Sequence, residues 1–250
     1  MQSMKKIVIV GATSCIAEHC ARLWIKTSPV ELTLVGRNKN HLQSIATDLQ
    51  IRSPESAINS IQADFINPSA IEQTVTSITT KGIPDIVLIA QGLLTDQKTC
   101  QTDLTACRDM LEINGISPVL FAEAFITHLE TAGRGTLALI GSVAGDRGRK
   151  SNYVYGSAKG LVDRYAQGLQ HRFAGTQIKI VLIKPGPTDT PMTAHLKTQG
   201  HKLAAVEHVA QGIINAIKRG QPVVYLPGKW RLIMWIIRHL PNFIFNKLKI

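Results

Sequence analysis

Short apolar runs and longer amphipathic segments alternate along most of the sequence. The short runs are rich in Val, Ile and Leu and almost continuously apolar, as strands covered on both faces of a sheet are. The predicted strands are Lys6–Val10, Glu31–Val35, Ala57–Ala63, Asp85–Ala90, Gly135–Gly141, Ile178–Lys184 and Pro222–Leu226. The predicted helices are Ile16–Lys26, Lys39–Gln50, Pro68–Thr80, Leu104–Glu130, Tyr155–Phe173 and Val206–Lys218. This alternation predicts the α/β class, with a Rossmann-type doubly wound parallel sheet of about seven strands.

Composition narrows the class of protein further. The chain has 250 residues, enough for one sizeable domain, and 44% of them are apolar. No stretch resembles a signal peptide or reaches the roughly 18 apolar residues of a transmembrane helix, so we expect a cytoplasmic protein. The four cysteines lack a metal-binding spacing, which predicts reduced thiols with neither a metal site nor disulfides. They are Cys15, Cys20, Cys100 and Cys107.

Positive charge is concentrated at the C-terminal end. The formal net charge is +11 at pH 7, and residues 195–250 contribute +8, because they hold nine Lys and Arg and one acid, Glu207. Residues 1–194 are nearly balanced, with 19 basic and 16 acidic residues. A strongly basic chain favours a polyanionic partner. Because most of the excess positive charge lies near the C-terminus, we expect the C-terminal tail to contact that partner.

The first predicted strand runs directly into the turn Gly11–Ala17, of sequence Gly-Ala-Thr-Ser-Cys-Ile-Ala, which opens a helix. Glycine permits the tight turn, and a helix N-terminus presents free N–H groups to a pyrophosphate. Thr13 or Ser14 can cap that helix. The turn is therefore a candidate cofactor site, although an ordinary strand–turn–helix with small residues explains it equally well. The candidate binding residues are Gly11, Thr13, Ser14, Cys15 and Ile16.

The ends of strands two to four supply the other candidate contacts to a dinucleotide. Strand two ends in Gly36 followed by Arg37 and Asn38, with no acidic residue to bind both ribose hydroxyls of NAD. Arginine can pair with a 2′-phosphate, so NADP(H) is predicted in preference to NAD(H). The alternative is an exposed loop arginine. Residues that follow strands three and four are placed to border the adenine and its ribose, namely Asp64, Phe65, Ala90, Gln91 and Gly92.

A phenol and an amine lie one helical turn apart at Tyr155 and Lys159. A neighbouring ammonium lowers a phenol's pKa, so the pair can exchange a proton with a carbinol oxygen. Tyr153 lacks such a partner at the same spacing. Ser142, directly after strand five, can hydrogen-bond the reacting oxygen, and Asn114 is a candidate to support a water relay to Lys159.

These residues resemble the short-chain dehydrogenase/reductase family over about residues 5–226. The resemblance implies catalysis by Asn114, Ser142, Tyr155 and Lys159, with hydride transfer between a nicotinamide and the substrate carbon. It also implies that Tyr155 and Lys159 contact the cofactor. The segment after strand six resembles the family's nicotinamide-binding segment, and its matching residues are Pro185, Gly186, Thr188 and Thr190.

Three positions depart from the family pattern. Cys15 and Ala17 stand where glycine is usual, and Ala90 replaces the asparagine that follows strand four in the family. The variant turn and the Trp- and Arg-containing tail resemble a bacterial subgroup that includes polyprenyl-phosphoryl keto-pentose reductases. The family resemblance further implies a homodimer or homotetramer built from helices 104–130 and 155–173.

The tail, residues 229–250, carries five Lys and Arg and no acid, and follows a catalytic domain predicted over residues 1–228. A basic amphipathic helix is predicted over Lys229–Leu240, because Pro241 ends it. Cations beside aromatic residues favour an anionic membrane surface, which would place the protein peripherally on the inner face of the membrane. Packing on the sheet edge or a dimer contact is the alternative, and no nucleic acid partner is expected. The aromatic residues are Trp230, Trp235, Phe243 and Phe245.

The pattern as a whole predicts an NADP(H)-dependent oxidoreductase that interconverts a ketone and a secondary alcohol. The substrate is expected to be a small molecule, with a lipid-linked or amphipathic carbonyl compound favoured by the tail. One alternative is a soluble 3-oxoacyl or hydroxysteroid-type dehydrogenase, and another is a non-catalytic NADP-sensing or scaffold protein. A specificity loop is predicted over Pro191–Leu203, and its side chains include Met192, His195, Leu196 and His201.

Overall fold

The structure, a computed structural model, describes residues 4–198 and 200–248 and contains a seven-stranded parallel sheet. The strands are β1 (Lys5–Val10), β2 (Val30–Gly36), β3 (Ala57–Gln62), β4 (Ile86–Ile89), β5 (Gly135–Ile140), β6 (Ile178–Pro185) and β7 (Val223–Leu226). Their spatial order is β3-β2-β1-β4-β5-β6-β7. The chain order reverses between β1 and β4, so a ligand crevice is expected beyond their carboxyl ends.

Helices cover both faces of the sheet. They are α1 (Cys15–Thr27), α2 (Lys39–Arg52), α3 (Pro68–Thr79), α4 (Gln97–Thr102), α5 (Leu104–Leu111), α6 (Ser117–Ala132), α7 (Tyr153–Arg172), α8 (Ala194–Thr198), α9 (Val206–Arg219), α10 (Lys229–His239) and α11 (Asn242–Phe245). Helices α1, α2 and α9 pack on one face and α3, α6 and α7 on the other, each over its own apolar cluster. The predicted doubly wound fold is thereby confirmed.

The segment predicted as one helix over Leu104–Glu130 is divided in the structure. Helices α5 and α6 are joined by a π-helical turn, Glu112–Ile116. Gly115 in this turn lies against the backbone of Ala158 in α7, where a side chain would be crowded. The local widening thus brings the turn against the helix that carries Tyr155, and π-turns are frequent at functional sites.

One segment has the length and mean hydropathy that a membrane span needs, although it is not a continuous run of apolar residues. Helices α5 and α6 with their π-turn form a stretch, Leu104–Ala132, with a mean hydropathy of 1.2 in its most apolar window. Just over half of that window, 56%, is buried inside the domain. Helix α6 contributes Phe121, Phe125 and Leu129 to the core, which accounts for its apolarity.

The C-terminal segment folds back onto the domain. Helix α10 ends one residue before the predicted boundary, and α11 follows Pro241. Met234 is fully buried, and the Trp230 indole occupies the space beside Gly186. Lys249 and Ile250, part of the predicted tail, lie outside the described residues.

Candidate active site

Two connected cavities lie beyond the carboxyl ends of the central strands, as the switch in strand order predicts. The larger, about 470 Å³, extends from the turn after β1 to Arg37 at the end of β2, and we call it the cofactor cleft. The smaller, about 180 Å³, contains the side chains predicted to be catalytic, and we call it the catalytic cavity. The two share walls formed by Ser14, Ile16, Gln91, Gly92, Thr190 and Met192.

The turn after β1 is shaped for close approach of a ligand to the backbone. Gly11 has φ +78°, and its Cα faces the backbone of Gln91 so closely that a side chain would overlap it. Ser14 occupies the N-cap of α1, but no side chain within residues 4–198 and 200–248 caps the first N–H groups. The uncapped helix N-terminus opens into the cofactor cleft and fits a phosphate group.

Cys15 also lines the cofactor cleft, at a position where the family prefers glycine. Burial and the nearby Glu18 and Glu207 raise the pKa of the Cys15 thiol above its ordinary value. The thiol is therefore neutral at pH 7 and adds no negative charge beside a phosphate. Glu18 itself is paired with Arg22 at 2.5 Å.

At the end of β2 the predicted residues take different roles. The exposed Arg37 lines the cofactor cleft, together with His41, which no motif in the sequence marks as a binding residue. Asn38 instead caps α2, accepting a hydrogen bond from the His41 N–H at 3.0 Å. The predicted contact of Asn38 with a cofactor therefore competes with a structural role for the same side-chain oxygen.

The predicted contacts after β3 separate into two cavities. Phe65 lines the cofactor cleft, whereas Asp64 borders a shallow depression beside Arg37. Asp64 accepts hydrogen bonds from the N–H groups of Ile66 and Asn67, at 2.7 and 3.1 Å, and these lower the pKa of its carboxyl. Asp64 thus borders only this depression, whereas Phe65 and Arg37 line both the depression and the cofactor cleft.

Ser142, Tyr155 and Lys159 come together in the catalytic cavity. Ser142 follows β5, and its Oγ accepts a hydrogen bond from the Ala144 N–H at 3.1 Å. Lys159 is only 2% exposed, and its Nζ donates to the Ile140 carbonyl at 3.0 Å. Tyr153, by contrast, lies at the start of α7 and is exposed. Two elements, the end of β5 and helix α7, therefore position the three groups.

The pKa of the Tyr155 phenol is shifted in the direction opposite to the one predicted from its spacing to Lys159. Burial lowers the pKa of Lys159 to about 8, against the opposing effect of Asp163. Burial raises the pKa of Tyr155 to about 12, and the Ser142 hydroxyl only partly offsets this rise. Spacing alone predicted a lowered phenol pKa, but the Lys159 Nζ lies 5.9 Å from the Tyr155 ring centre and burial outweighs it. A phenol with this pKa is a proton donor at neutral pH.

Asn114 lies behind the catalytic cavity rather than in its wall. The side chain is fully buried in the π-turn, and its Nδ2 donates to the carbonyls of Leu93 and Met110 at 2.8 and 2.9 Å. Its Oδ1 accepts from the Leu93 N–H at 3.0 Å. Asn114 thus holds the segment after β4, while the predicted water relay to Lys159 stays a prediction.

The segment after β6 forms the wall opposite β4. Pro185, Gly186, Thr188 and Thr190 all line the catalytic cavity, and Thr190 also borders the cofactor cleft. The Thr188 hydroxyl donates to the Gly186 carbonyl at 2.9 Å, so its proton is already used. The Thr190 hydroxyl is paired with the Thr193 hydroxyl at 3.1 Å, so both candidate threonines already make a side-chain hydrogen bond.

After β4, Ala90 and Gln91 line the catalytic cavity. The Gln91 Nε2 donates to the Ser117 Oγ at 3.2 Å, while its buried Oε1 has no partner in the described part of the chain. An orphaned acceptor at the junction of the two cavities fits a ligand that brings a donor, as a carboxamide or ribose does.

Of the predicted specificity loop, Met192 and Leu196 line the catalytic cavity, whereas His195 and His201 are exposed. Gln199 in this loop lies outside the described residues. Arg149 and Asn152 also line the catalytic cavity and were not identified from the sequence. The only available signal was their position between Ser142 and Tyr155, which does not say which way a loop side chain points.

Comparison with known proteins agrees with this geometry. The family model described as short chain dehydrogenase matches residues 5–200. An uncharacterised oxidoreductase of Streptomyces coelicolor is 27% identical over 98% of this chain and 96% of its own length. An uncharacterised oxidoreductase of Mycobacterium tuberculosis strain H37Rv is 29% identical, with 97% and 96% covered.

Solved structures share the fold. A short-chain dehydrogenase from Sphingobium yanoikuyae, in complex with NADPH, superposes with a TM-score of 0.82 at 20% identity, covering 96% of this chain and 97% of that one. An actinorhodin polyketide ketoreductase variant with NADPH gives 0.79 at 18% identity, covering 89% and 95%. Because the family model matches residues 5–200, most of the chain, the protein belongs to the short-chain dehydrogenase family and is an NAD(P)-dependent oxidoreductase.

Proposed function

We propose that this chain is an NADP(H)-dependent oxidoreductase that interconverts a ketone and a secondary alcohol, with Ser142, Tyr155 and Lys159 as its catalytic groups. The observation that carries the proposal is their convergence in one cavity that opens into the cofactor cleft. A substrate carbonyl in the catalytic cavity would lie between Ser142 and Tyr155 on one side and the cofactor cleft on the other.

Tyr155, Ser142 and Lys159 have different roles in the transfer of one proton to the carbonyl oxygen. The Tyr155 phenol, protonated at pH 7, donates its proton to the carbonyl oxygen during reduction. Ser142 accepts from the Ala144 N–H, and its own hydroxyl proton, directed at the Tyr155 oxygen before a ligand binds, would turn to the same carbonyl oxygen as charge develops. The Lys159 Nζ, anchored on the Ile140 carbonyl, places a positive charge where it favours the phenolate that remains.

The described residues fit a nicotinamide dinucleotide. The uncapped N-terminus of α1 and Gly11 would hold its phosphates, and Thr190 and the orphaned Gln91 Oε1 would meet its nicotinamide end. When bound, the cofactor supplies hydride to the carbonyl carbon or accepts it from the carbinol. NADP(H) is proposed over NAD(H) because Arg37 lines the cleft and Asp64 lies outside it.

Tyr155→Phe tests the mechanism. The variant keeps the ring but lacks the proton donor, so kcat/KM for every ketone that wild type reduces should fall about 10²- to 10⁴-fold. NADPH oxidation over a panel of ketones measures this. Equal rates for wild type and Tyr155→Phe would refute the mechanism. Tight NADPH binding with no turnover of any ketone would favour the sensor or scaffold alternative.

The tail supports a second part of the proposal, an anionic membrane surface as partner. Helices α10 and α11 turn Met234 inward and present an apolar face outward, on which Leu232, Trp235 and Phe243 are 64, 60 and 70% exposed. Exposed cations flank this face, and no acid occurs in residues 229–250. A lipid surface with anionic headgroups matches both features, and it would bring the catalytic domain to lipid-linked or amphipathic ketones.

The Arg147 guanidinium holds this face in place. It donates to the carbonyls of Ile237 and Leu240, both at 2.6 Å, and to the Asn242 Oδ1 at 2.8 Å, and it stacks over the Phe245 ring at 3.8 Å. The tail can therefore pack on the domain and contact a membrane at the same time, because its inner face makes the first contact and its exposed apolar face would make the second.

Flotation with phosphatidylglycerol-containing vesicles tests the membrane contact. Wild type should float at low salt and less at high salt, and Leu232→Ser/Trp235→Ser should bind at least about 10-fold more weakly because it loses two large apolar contacts. Ile51→Ser removes an equally exposed side chain from α2 and should bind like wild type. Failure of wild type to float at low salt would refute this part.

Oligomerisation through residues 104–130 and 155–173 stays a prediction, which size-exclusion chromatography with light scattering would test.

A further inference from the structure

Arg149 is a cation in the wall of the catalytic cavity that the proposed chemistry does not use. Its Nε is buried and has no hydrogen-bond partner among residues 4–198 and 200–248. Its one hydrogen bond in that part of the chain runs from Nη2 to the Val143 carbonyl at 3.4 Å, which is long for such a bond. A guanidinium has five N–H donors, so most of the donors of Arg149 make no hydrogen bond within the described residues.

The carboxylate that acts on Arg149 is already paired with other residues. Asp146 is the acid that acts on Arg149, yet its Oδ1 is paired with the Lys184 Nζ and its Oδ2 accepts from the Tyr225 hydroxyl at 3.0 Å. Lys184 in turn binds Asp163 at 2.6 Å. These ion pairs compensate one another, and no salt bridge to Arg149 occurs within the described residues.

Arg147, two residues earlier in the same loop, has hydrogen-bond partners for its guanidinium and is a useful comparison. Its guanidinium makes three hydrogen bonds to the tail and stacks on Phe245. Arg149 points to the other side of the loop, into the cavity. Arg149 is half-buried, its Nε is buried without a partner, and its Nη1 makes no hydrogen bond within the described residues, so the guanidinium has donors available for an acceptor in the cavity.

The charge of the cavity favours an anion as that acceptor. Among the described residues that line it, Arg149 and Lys159 are the charged groups and none is Asp or Glu. Lys159 is engaged with the Ile140 carbonyl, which leaves Arg149 as the cation open to a ligand. The half-buried Asn152, whose Oδ1 has no partner among the described residues, lines the same cavity and could contact a polar group beside the anion.

We propose that Arg149 is the anchor for an anionic group of the substrate, a carboxylate or a phosphate, so that the enzyme acts on anionic carbonyl compounds. The proposal rests on the proposed oxidoreductase function and names its substrate class. Guanidinium binds either oxyanion through two parallel hydrogen bonds, which would fix the carbonyl relative to Tyr155. A neutral ketone of the same shape would leave these donors unpaired.

Two matched ketone pairs test the proposal by direct binding. They are 4-oxopentanoate against 4-oxopentanamide, and dihydroxyacetone phosphate against dihydroxyacetone, titrated into the NADP-loaded full chain by saturation-transfer NMR. The anionic member of at least one pair should bind wild type roughly 10- to 100-fold more tightly, as expected for a charge-assisted pair of hydrogen bonds. The pair that shows the preference tells carboxylate from phosphate. Arg149→Gln should abolish the preference, and Arg149→Lys should keep part of it.

Lys150→Gln is the matched control, because Lys150 is the neighbouring residue and is exposed. It should retain the preference, and Arg149→Gln should keep wild-type NADPH affinity without a lower melting temperature, because the charge that it removes has no salt-bridge partner among the described residues. Equal affinity of wild type for both members of each pair would overturn the proposal, as would an undiminished preference in Arg149→Gln or a loss of NADPH binding in that variant. Binding does not require turnover, so a failure of the Tyr155 mechanism would be seen separately in the kinetics of Tyr155→Phe.

Discussion

The two ends of the ligand crevice are built differently. At the catalytic end, Lys159 is 2% exposed and Asn114 is fully buried, and both have their polar atoms engaged by backbone groups. At the far end of the cofactor cleft, Arg37 and His41 are exposed. Residues at the catalytic end are therefore held in place before a ligand arrives, whereas those at the far end remain solvated.

The difference separates two kinds of effect. A substitution at the catalytic end removes a buried group from a packed environment, so it should change stability as well as chemistry. A substitution at the solvated end should change affinity for the cofactor and little else. The three predictions below test this separation, in order of decreasing expected effect.

Lys159→Met should lower kcat/KM by about 10²-fold or more, because the positive charge beside the phenol is lost. It should also change the pH dependence of stability. The pKa of Lys159 is about 8 in the folded chain and about 10.4 when unfolded, so the unfolded chain binds more protons between these values and wild-type stability rises with pH there. The free energy of unfolding of wild type relative to Lys159→Met should therefore increase above pH 8, by up to about 1.4 kcal/mol per pH unit. Urea denaturation from pH 7 to 10 measures this, and a flat or falling difference would contradict it.

Gly11→Ala tests the junction between the two ends. The left-handed backbone at φ +78° costs a non-glycine residue about 1–2 kcal/mol, and the new methyl group would also overlap the Gln91 backbone. Destabilisation of about 2–4 kcal/mol is expected. Gly133→Ala has a similar φ, +67°, but open space around it, so it should lose only the backbone part. Equal melting temperatures for the two variants would show that the contact with Gln91 does not matter.

Arg37→Ser should weaken NADPH binding roughly 10-fold, as expected for one partly solvated charge-assisted contact to a phosphate. NADH binding should change less than threefold, and stability should not change measurably, because Arg37 is exposed. Fluorescence titration with both cofactors measures the ratio. Lys39→Ser, a nearby exposed cation on α2, is the control and should behave like wild type. An equal loss of affinity for both cofactors would remove the case for NADP preference.

The fold was largely predictable, because continuous apolar runs bounded by turns leave few choices but a parallel sheet covered on both faces. The seven predicted strands correspond to β1–β7, with boundaries that shift by at most one residue. The helix predicted over Leu104–Glu130 was wrong in one respect. Its periodicity does not reveal the π-turn, and the contacts made by that turn, such as those between Asn114 and the distant Leu93 backbone, are not local in sequence.

The local spacing of the sequence determined the pairing of Tyr155 with Lys159, the glycine turn and the basic tail, because each depends on neighbours within one turn or one strand end. Tertiary structure alone decided the rest. It raised the pKa of Tyr155 by burial, withdrew Asn114 from the cavity wall and committed Asp146 to Lys184. It also turned Arg147 toward the tail and Arg149 into the catalytic cavity, a difference that depends on which distant segment packs against each side of the loop.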